Sequence, residues 1–254
     1  MLIAITRAVS PAIDRCELTS QERLPINLER ATAQHHAYEA ALRSLGIAVR
    51  SLPADPDLPD SVFVEDTAIV LDECAVITRP GADSRKPETG SIARVLAPYR
   101  ELFRIQAPGT LDGGDVLKIG KTIYVGLSRR SNLSAIGQVQ EFLVPFGYTV
   151  RGVSVRGCLH LKSAVTQVGA DVLVLNPAWV DKAAFLGLKF IEVHSSEPYA
   201  ANALWVGGTV IYQPVYPITL SYLEAAGIDL LLVDQSELAK AEGALTCCSL
   251  IFNI

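Results

Sequence analysis

Asp115-Val116-Leu117-Lys118-Ile119 and Thr122-Ile123-Tyr124-Val125-Gly126 are two short, hydrophobic-rich runs with only Gly120-Lys121 between them, the pattern of a β-hairpin. A helical run follows over 132–146 and another strand over 148–155, so one unit reads strand, strand, helix, strand. The same order recurs on both sides. Upstream, strands at 67–71 and 74–78 lead to a helix over 87–99 and a strand at 102–105. Downstream, 162–168 and 171–175 precede a short helix over 180–186 and a strand at 188–193. A fourth copy takes 202–206 and 209–212, a helix at 217–226 and a strand at 228–233. The fifth closes across the termini, with strands at 246–252, 2–6 and 47–52 and its helix inside 28–45.

Hairpins therefore start near 67, 115, 162, 202 and 246, a spacing of roughly 40 to 48 residues. Each unit has an apolar sheet face that needs a neighbour, and a closed ring of five supplies one to every face. The expected fold is α/β, a fivefold pseudosymmetric α/β-propeller of strand-strand-helix-strand units forming one domain over 1–254. An open α/β sheet fits the same alternation, and the regular spacing favours the ring.

The ring has a chemical consequence. Glu65-Asp66, Asp112, His160 and Cys247 each lie at, or within three residues of, the start of a hairpin. Equivalent positions of a radial repeat face one axis, so these groups are expected to meet at the centre.

Half of the 254 residues are hydrophobic and the mean hydropathy is +0.30, enough for a large core. The net charge of -5 and the lack of a basic stripe argue against nucleic acid or an anionic membrane as partner. Met1-Leu2-Ile3-Ala4-Ile5-Thr6-Arg7 reads as a strand rather than a signal peptide, and no apolar run approaches the ~18 residues of a membrane span. Five cysteines, odd in number and irregularly placed, suit a reducing cytoplasm better than a disulfide framework.

Three segments carry chemistry. Leu245-Thr246-Cys247-Cys248-Ser249 offers a thiol nucleophile, and strand alternation puts its two cysteines on opposite faces without saying which faces the centre. Leu159-His160-Leu161-Lys162 offers an imidazole, able to donate a proton to a leaving nitrogen and take one back from water. Thr110-Leu111-Asp112-Gly113-Gly114-Asp115 offers a carboxylate to orient it, the logic of a triad assembled from distant segments. The Gly-Gly turn lacks the flanking pattern of a phosphate loop. Cys158, His160 and the paired cysteines lack the CxxC or HxxxH spacing of a zinc site. Asp60, Glu65 and Asp66 before an apolar strand resemble a pocket for a planar cation. Arg85 and Arg130 have the geometry to grip a carboxylate.

Seven pieces together resemble the dimethylarginine dimethylaminohydrolase family of the guanidine-modifying pentein superfamily: LPDSVFVED (58–66), ITRPGADSR (77–85), TLDGGD (110–115), VGLSRRSN (125–132), LHLK (159–162), AAN (200–202) and LTCCS (245–249). They run from end to end of the chain in the family's order. The resemblance implies the fivefold propeller, with Cys247 as nucleophile, His160 as general acid and base, and Asp112 as its orienting carboxylate. It further implies Asp66, Glu65 and Asp60 as substrate-binding acids and Arg85 and Arg130 as a carboxylate clamp. Leu18 matches a lid residue within the 11–23 loop, and Ala241 a position whose backbone meets substrate.

The implied reaction is hydrolysis of an Nω-methylated arginine to citrulline and methylamine or dimethylamine, through a covalent thiouronium, with no metal or organic cofactor. The expected partner is this small molecule, with oligomeric state, a homodimer included, left open. Two alternatives stand beside it. One is another guanidine enzyme, an arginine or agmatine deiminase or an amidinotransferase; relatives of that kind carry an aspartate where Lys162 stands here, and agmatine has no carboxylate for two arginines. The other is a non-catalytic propeller that binds without turnover, which an intact triad and clamp disfavour.

Overall fold

The computed structural model describes residues 1–19 and 21–254. Among the described residues, fifteen strands form five three-stranded sheets. In the first, β1 (Leu2–Arg7) lies antiparallel to β15 (Leu250–Asn253) and parallel to β2 (Ala48–Leu52), with α1 (Leu28–Ser44) between β1 and β2. The second comprises β3 (Ala68–Val70), β4 (Cys74–Ile77), α2 (Glu88–Leu96) and β5 (Glu101–Arg104). The third comprises β6 (Val116–Ile119), β7 (Thr122–Leu127), α3 (Leu133–Leu143) and β8 (Thr149–Ser154). In the fourth, α4 (Leu161–Ala164) precedes β9 (Val165–Gly169), β10 (Val172–Leu175) and β11 (Lys189–Glu192). The fifth comprises β12 (Leu204–Val206), β13 (Thr209–Tyr212), α5 (Pro217–Ala225) and β14 (Leu230–Leu232), and α6 (Ser236–Ala239) follows. Every unit pairs its middle strand antiparallel to the first and parallel to the third.

Both faces of each middle strand are buried, which is why these strands read as nearly continuous apolar runs. On β7, Ile123 and Val125 pack with β4 residues Cys74 and Val76, whereas Tyr124 points the other way, to Leu173 and Phe185 of the next unit. The same alternation operates on β4, where Ala75 and Ile77 join Ile3 and Ile5 of β1. Val174 and Val210 unite the fourth and fifth sheets. Ala4 and Ile211 then unite the fifth with the first. Each core cluster thus draws on two sheets successive in the chain, and the last one joins the end to the beginning.

Three expectations need correction, one of them the strand at 162–168, which starts only at Val165 after α4. The 180–186 segment is a single 3-10 turn, Lys182–Ala184, started by Asp181 accepting from the Ala183 amide and terminated before Gly187 at φ +82°. It is too short to propagate as an α-helix, and buried Phe185 anchors it 4.9 Å from the Tyr124 ring. The last hairpin begins at Leu250 rather than Thr246, because Thr246–Cys248 is also a 3-10 turn. That pattern recurs. Short helical turns at Val64–Thr67, Gly113–Asp115 and Leu161–Ala164 likewise stand immediately before β3, β6 and β9.

Candidate active site

Those turns carry the functional groups. Glu65 and Asp66 lie on the first, Asp112 and His160 are the residues preceding the next two, and Cys247 is central in the last. Four of the five hairpins are headed by such a turn, and it carries or adjoins these side chains. Asp60, Asp66, Arg85, Arg130, His160, Ala241 and Cys247 line one cavity. Cys248 is fully buried instead, with its sulfur against Gln235 and the Ala244 carbonyl. The 3-10 geometry, not strand alternation, separates the two cysteines.

His160 is buried with Nε2 3.0 Å from Asp112 Oδ2. Asp112 is fixed in turn: its Oδ1 accepts from the Gly81 amide at 2.8 Å, and its own amide donates to Ser131 Oγ at 3.1 Å. The other ring nitrogen, Nδ1, lies 4.0 Å from Asp66 Oδ1. Burial alone would lower the imidazole pKa, but Asp66, the bond to Asp112 and the charge of Asp115 outweigh it and bring it up to about 9. At neutral pH the ring is therefore an imidazolium with Nε2–H committed to Asp112. Burial pushes the Asp66 carboxyl up, and the same cation together with Arg85 outweighs that and holds it below the ordinary carboxylate range.

Cys247 is half-buried, and its thiol pKa lies well above the ordinary value. Burial is the main cause, followed by the negative charges of Glu65 and Asp66. The free site holds a thiol in an acidic setting, where a cationic ligand would do most to favour the thiolate.

The Gly-Gly turn has a steric reason. A Cβ on Gly113 would lie 1.9 Å from the Glu65 carbonyl oxygen, and one on Gly114 would lie 2.5 Å from His160 Nδ1. Glycine is required for three segments to converge, and no phosphate is needed to explain it.

Arg85 is buried as part of the wall. Its Nη1 contacts Asp66 Oδ2 at 2.5 Å, and Nε and Nη2 fork onto Glu88 at 3.1 and 2.8 Å. Nη2 also donates to the carbonyls of Asp60 and Phe63. Arg130 is less committed, with Nη2 3.1 Å from Thr19 Oγ1 and Nη1 3.5 Å from Asp112 Oδ2. Asp60 accepts the Glu17 amide on both oxygens, and burial raises its pKa.

Three of the expected residues lie outside the cavity wall. Asp112 stands behind His160. Glu65 accepts from Lys162 Nζ on Oε1 at 2.5 Å and from Thr246 Oγ1 on Oε2 at 2.9 Å, and with Lys162 it lines a separate, larger cavity. Leu18 is half-buried against the core cluster that joins the fifth and first sheets. Lys162 accordingly does not open a strand, as the 162–168 run suggests; it sits in α4, paired with Glu65.

Glu242 was not foreseen. It is the one non-glycine residue with positive φ among the described residues, at +57°. Its carboxylate accepts the Thr19 amide at 2.9 Å and the Gln21 amide at 2.7 Å, tying the N-terminal loop to the cavity rim. Nothing in the local sequence signals contacts more than 200 residues away. Glu88 was also missed, although its place three residues after Arg85 on a helical turn was a usable sign. Asp66, Asp112 and His160 offer ligand atoms within 4.8 Å of one another, a potential metal grouping. Arg85, the Gly114 amide and the His160–Asp112 bond already occupy much of that donor set.

A half-buried thiol, an imidazole held on a carboxylate and an acidic wall meet at one cavity of an α/β fold, a grouping whose chemistry suits the class of thiol enzymes that hold a planar cation. The family model for N,N dimethylarginine dimethylhydrolase, eukaryotic, matches residues 7–184. The chain belongs to the dimethylarginine dimethylaminohydrolase family. The N(G),N(G)-dimethylarginine dimethylaminohydrolase of Pseudomonas aeruginosa is 36% identical over 237 residues, covering 92% of this chain and 93% of that one. The Streptomyces coelicolor enzyme of the same name is 38% identical over 248 residues, covering 97% and 95%. A cysteine-to-serine variant of the Pseudomonas aeruginosa enzyme, solved with citrulline, superposes with a TM-score of 0.94 at 34% identity over 98% of both chains.

Proposed function

We propose that this protein hydrolyses Nω-methylated L-arginine to L-citrulline and methylamine or dimethylamine. The observation that carries it is a single cavity presenting Cys247, His160, Asp66 and Arg130, with His160 held on Asp112 at 3.0 Å, in a chain of this family. Asp66 and Asp60 suit a guanidinium, with Glu65 contributing charge from behind. Arg130, and any Nη1 hydrogen Arg85 keeps free, suit the substrate carboxylate, with Leu18 and Ala241 closing around the stem. The five core clusters, each linking successive sheets and the last returning to the first, support a single-domain fivefold propeller.

The electrostatics suggest an order of events. A guanidinium entering beside the acidic wall stabilises the Cys247 thiolate, and the thiol proton leaves to solvent. The sulfur adds to the guanidinium carbon. His160 donates its Nδ1 proton to the alkylated nitrogen as that C–N bond breaks, which releases the amine and leaves a thiouronium on Cys247. The now neutral imidazole takes a proton from water and the resulting hydroxide adds to the same carbon; as the C–S bond breaks, the adduct's hydroxyl proton leaves to solvent, giving citrulline and thiolate with His160 again an imidazolium. Asp112 holds the ring on its Nε2 side throughout and stabilises each imidazolium.

Incubating the purified chain with asymmetric dimethylarginine, monomethylarginine and arginine, and measuring citrulline, tests this. Citrulline should form from the methylated substrates; its absence from both would overturn the proposal.

A further inference from the structure

Asp115 closes the TLDGGD segment, is completely buried, and has no role in the steps above. Its Oδ1 accepts from the Leu161 amide at 2.9 Å, the peptide that follows His160. Its Oδ2 accepts from Ser128 Oγ and Ser131 Oγ, each at 2.6 Å. Both hydroxyls therefore spend their hydrogens on Asp115 and turn lone pairs to backbone amides. Ser131 Oγ receives the Asp112 amide at 3.1 Å, and Ser128 Oγ receives the Arg130 amide at 3.0 Å. No cation pairs directly with Asp115 among the described residues. Its hydrogen-bond donors are all neutral, and burial pushes its pKa up to about 6 although the nearby His160 imidazolium pulls the other way; such a carboxylate costs stability, so its place here calls for a use. Space is reserved for it as well: a Cβ on Gly126 would lie 2.5 Å from Asp115 Oδ1.

We propose that Asp115 is the positioning residue of this site, a hub whose three arms set His160, Asp112 and Arg130 in register. The arm through Leu161 fixes the backbone of the imidazole, the arm through Ser131 fixes the orienting carboxylate, and the arm through Ser128 fixes the clamp. An acceptor-only carboxylate is required. An amide at this position must turn its NH2 either toward the Leu161 N–H, where two donors face, or toward the serines, whose hydroxyl hydrogens then lose their acceptor. The proposal rests on the reading of His160, Asp112 and Arg130 given above.

The experiment compares Asp115→Asn, Ser131→Ala and Ser128→Ala with the unaltered full chain. The readouts are dimethylarginine hydrolysis, the rate of Cys247 alkylation by 2-chloroacetamidine, and the NMR titration of the His160 ring. Asp115→Asn should lower kcat by roughly 10- to 100-fold with KM little changed, the usual scale for a lost supporting contact. It should also slow alkylation and lower the His160 pKa. Asp66, Asp112 and Asp115 are the acids facing that ring, with Arg130 beyond Asp112, and only Asp115 loses its charge. Ser131→Ala should reduce kcat, and Ser128→Ala should chiefly raise KM. A folded Asp115→Asn with unaltered kcat and His160 titration, whatever its melting temperature, would overturn the proposal. Should that variant fail to fold, wild-type kinetics in both serine variants would overturn it equally. If the unaltered chain does not hydrolyse dimethylarginine, the functional reading falls, while the titration and alkylation still test the hub.

Discussion

His160 is held between two carboxylates, but unequally: Asp112 takes Nε2 at 3.0 Å, whereas Asp66 stands 4.0 Å from Nδ1. The shorter contact fixes the ring and the longer gap leaves one N–H for chemistry. Together they keep the imidazole protonated well above its ordinary range.

The pH dependence follows from that charge. With its folded pKa raised to about 9, His160 carries the proton that the proposed mechanism needs below that value, so on that mechanism turnover should fall as pH rises through 9. Stability carries the same sign. The unfolded imidazole titrates near 6.5, so the folded chain holds the extra proton between about 6.5 and 9 and loses that stabilisation as pH rises through this window. His160→Gln should flatten the fall in melting temperature across it. An equally steep decline in the variant would count against His160 as the source.

The cysteines should separate cleanly. Cys247→Ser should abolish hydrolysis, since only Cys247 faces the cavity. Cys248→Ser should retain much of it with a modest loss of stability, because Cys248 is a packed side chain with its sulfur near Gln235. Mass spectrometry after alkylation by a haloacetamidine should find the label on Cys247. A label on Cys248 would reverse the assignment.

The two arginines were expected to act alike, and their surroundings make them different. Arg130→Ala should chiefly raise KM, lowering kcat/KM by about 30- to 1000-fold, or roughly 2 to 4 kcal/mol for a charge-assisted contact. Arg85→Ala leaves Asp66 and Glu88 buried without their partner, so it should also destabilise the fold by about 3–5 kcal/mol. Thermal melts alongside kinetics distinguish the two; an Arg85→Ala chain as stable as the unaltered one would contradict the wall role.

Much of this arrangement was legible. The alternation of Ile123 and Val125 against Tyr124 announces a strand buried on both faces, and the hairpin spacing announces its neighbours. The helical turns that present the site were not legible. Thr246-Cys247-Cys248 has strand-like residues, but Asn202 binds both the amide and the hydroxyl of Thr246 while Glu65 accepts from that hydroxyl, and tertiary contacts win over local preference. For the same reason the sequence pointed to Glu65 as a pocket acid without revealing that Lys162 and Thr246 occupy its oxygens.

Glu242 illustrates the least legible kind of residue, strained locally and justified only by distant partners. Glu242→Ala removes the acceptors of the Thr19 and Gln21 amides, at about 1–3 kcal/mol for the groups left unpaired. Loosening of the loop beside Leu18 should raise KM and speed proteolytic cleavage within residues 11–23. Unaltered KM and cleavage would show that the loop is held without it.

Selectivity for methylated over unmethylated arginine is the sharpest consequence of Lys162. A carboxylate two residues after His160 would hydrogen-bond the unsubstituted guanidinium nitrogens and be left unpaired when they are alkylated. Lys162 stands at that position instead, and its 2.5 Å contact with Glu65 directs its ammonium to that acid, on the wall of the separate, larger cavity. The site gives up an attraction for arginine and loses nothing to the methyl groups. Competition assays should favour mono- or dimethylarginine over arginine by at least ~10-fold, about 1.4 kcal/mol. Equal or better turnover of arginine would point to a deiminase. Lys162→Asp sets two carboxylates against each other where an ion pair stood, so it should impair turnover of the methylated substrate without creating an efficient deiminase. Brisk arginine hydrolysis by that variant would show that this one position, rather than the surrounding wall, decides the substrate.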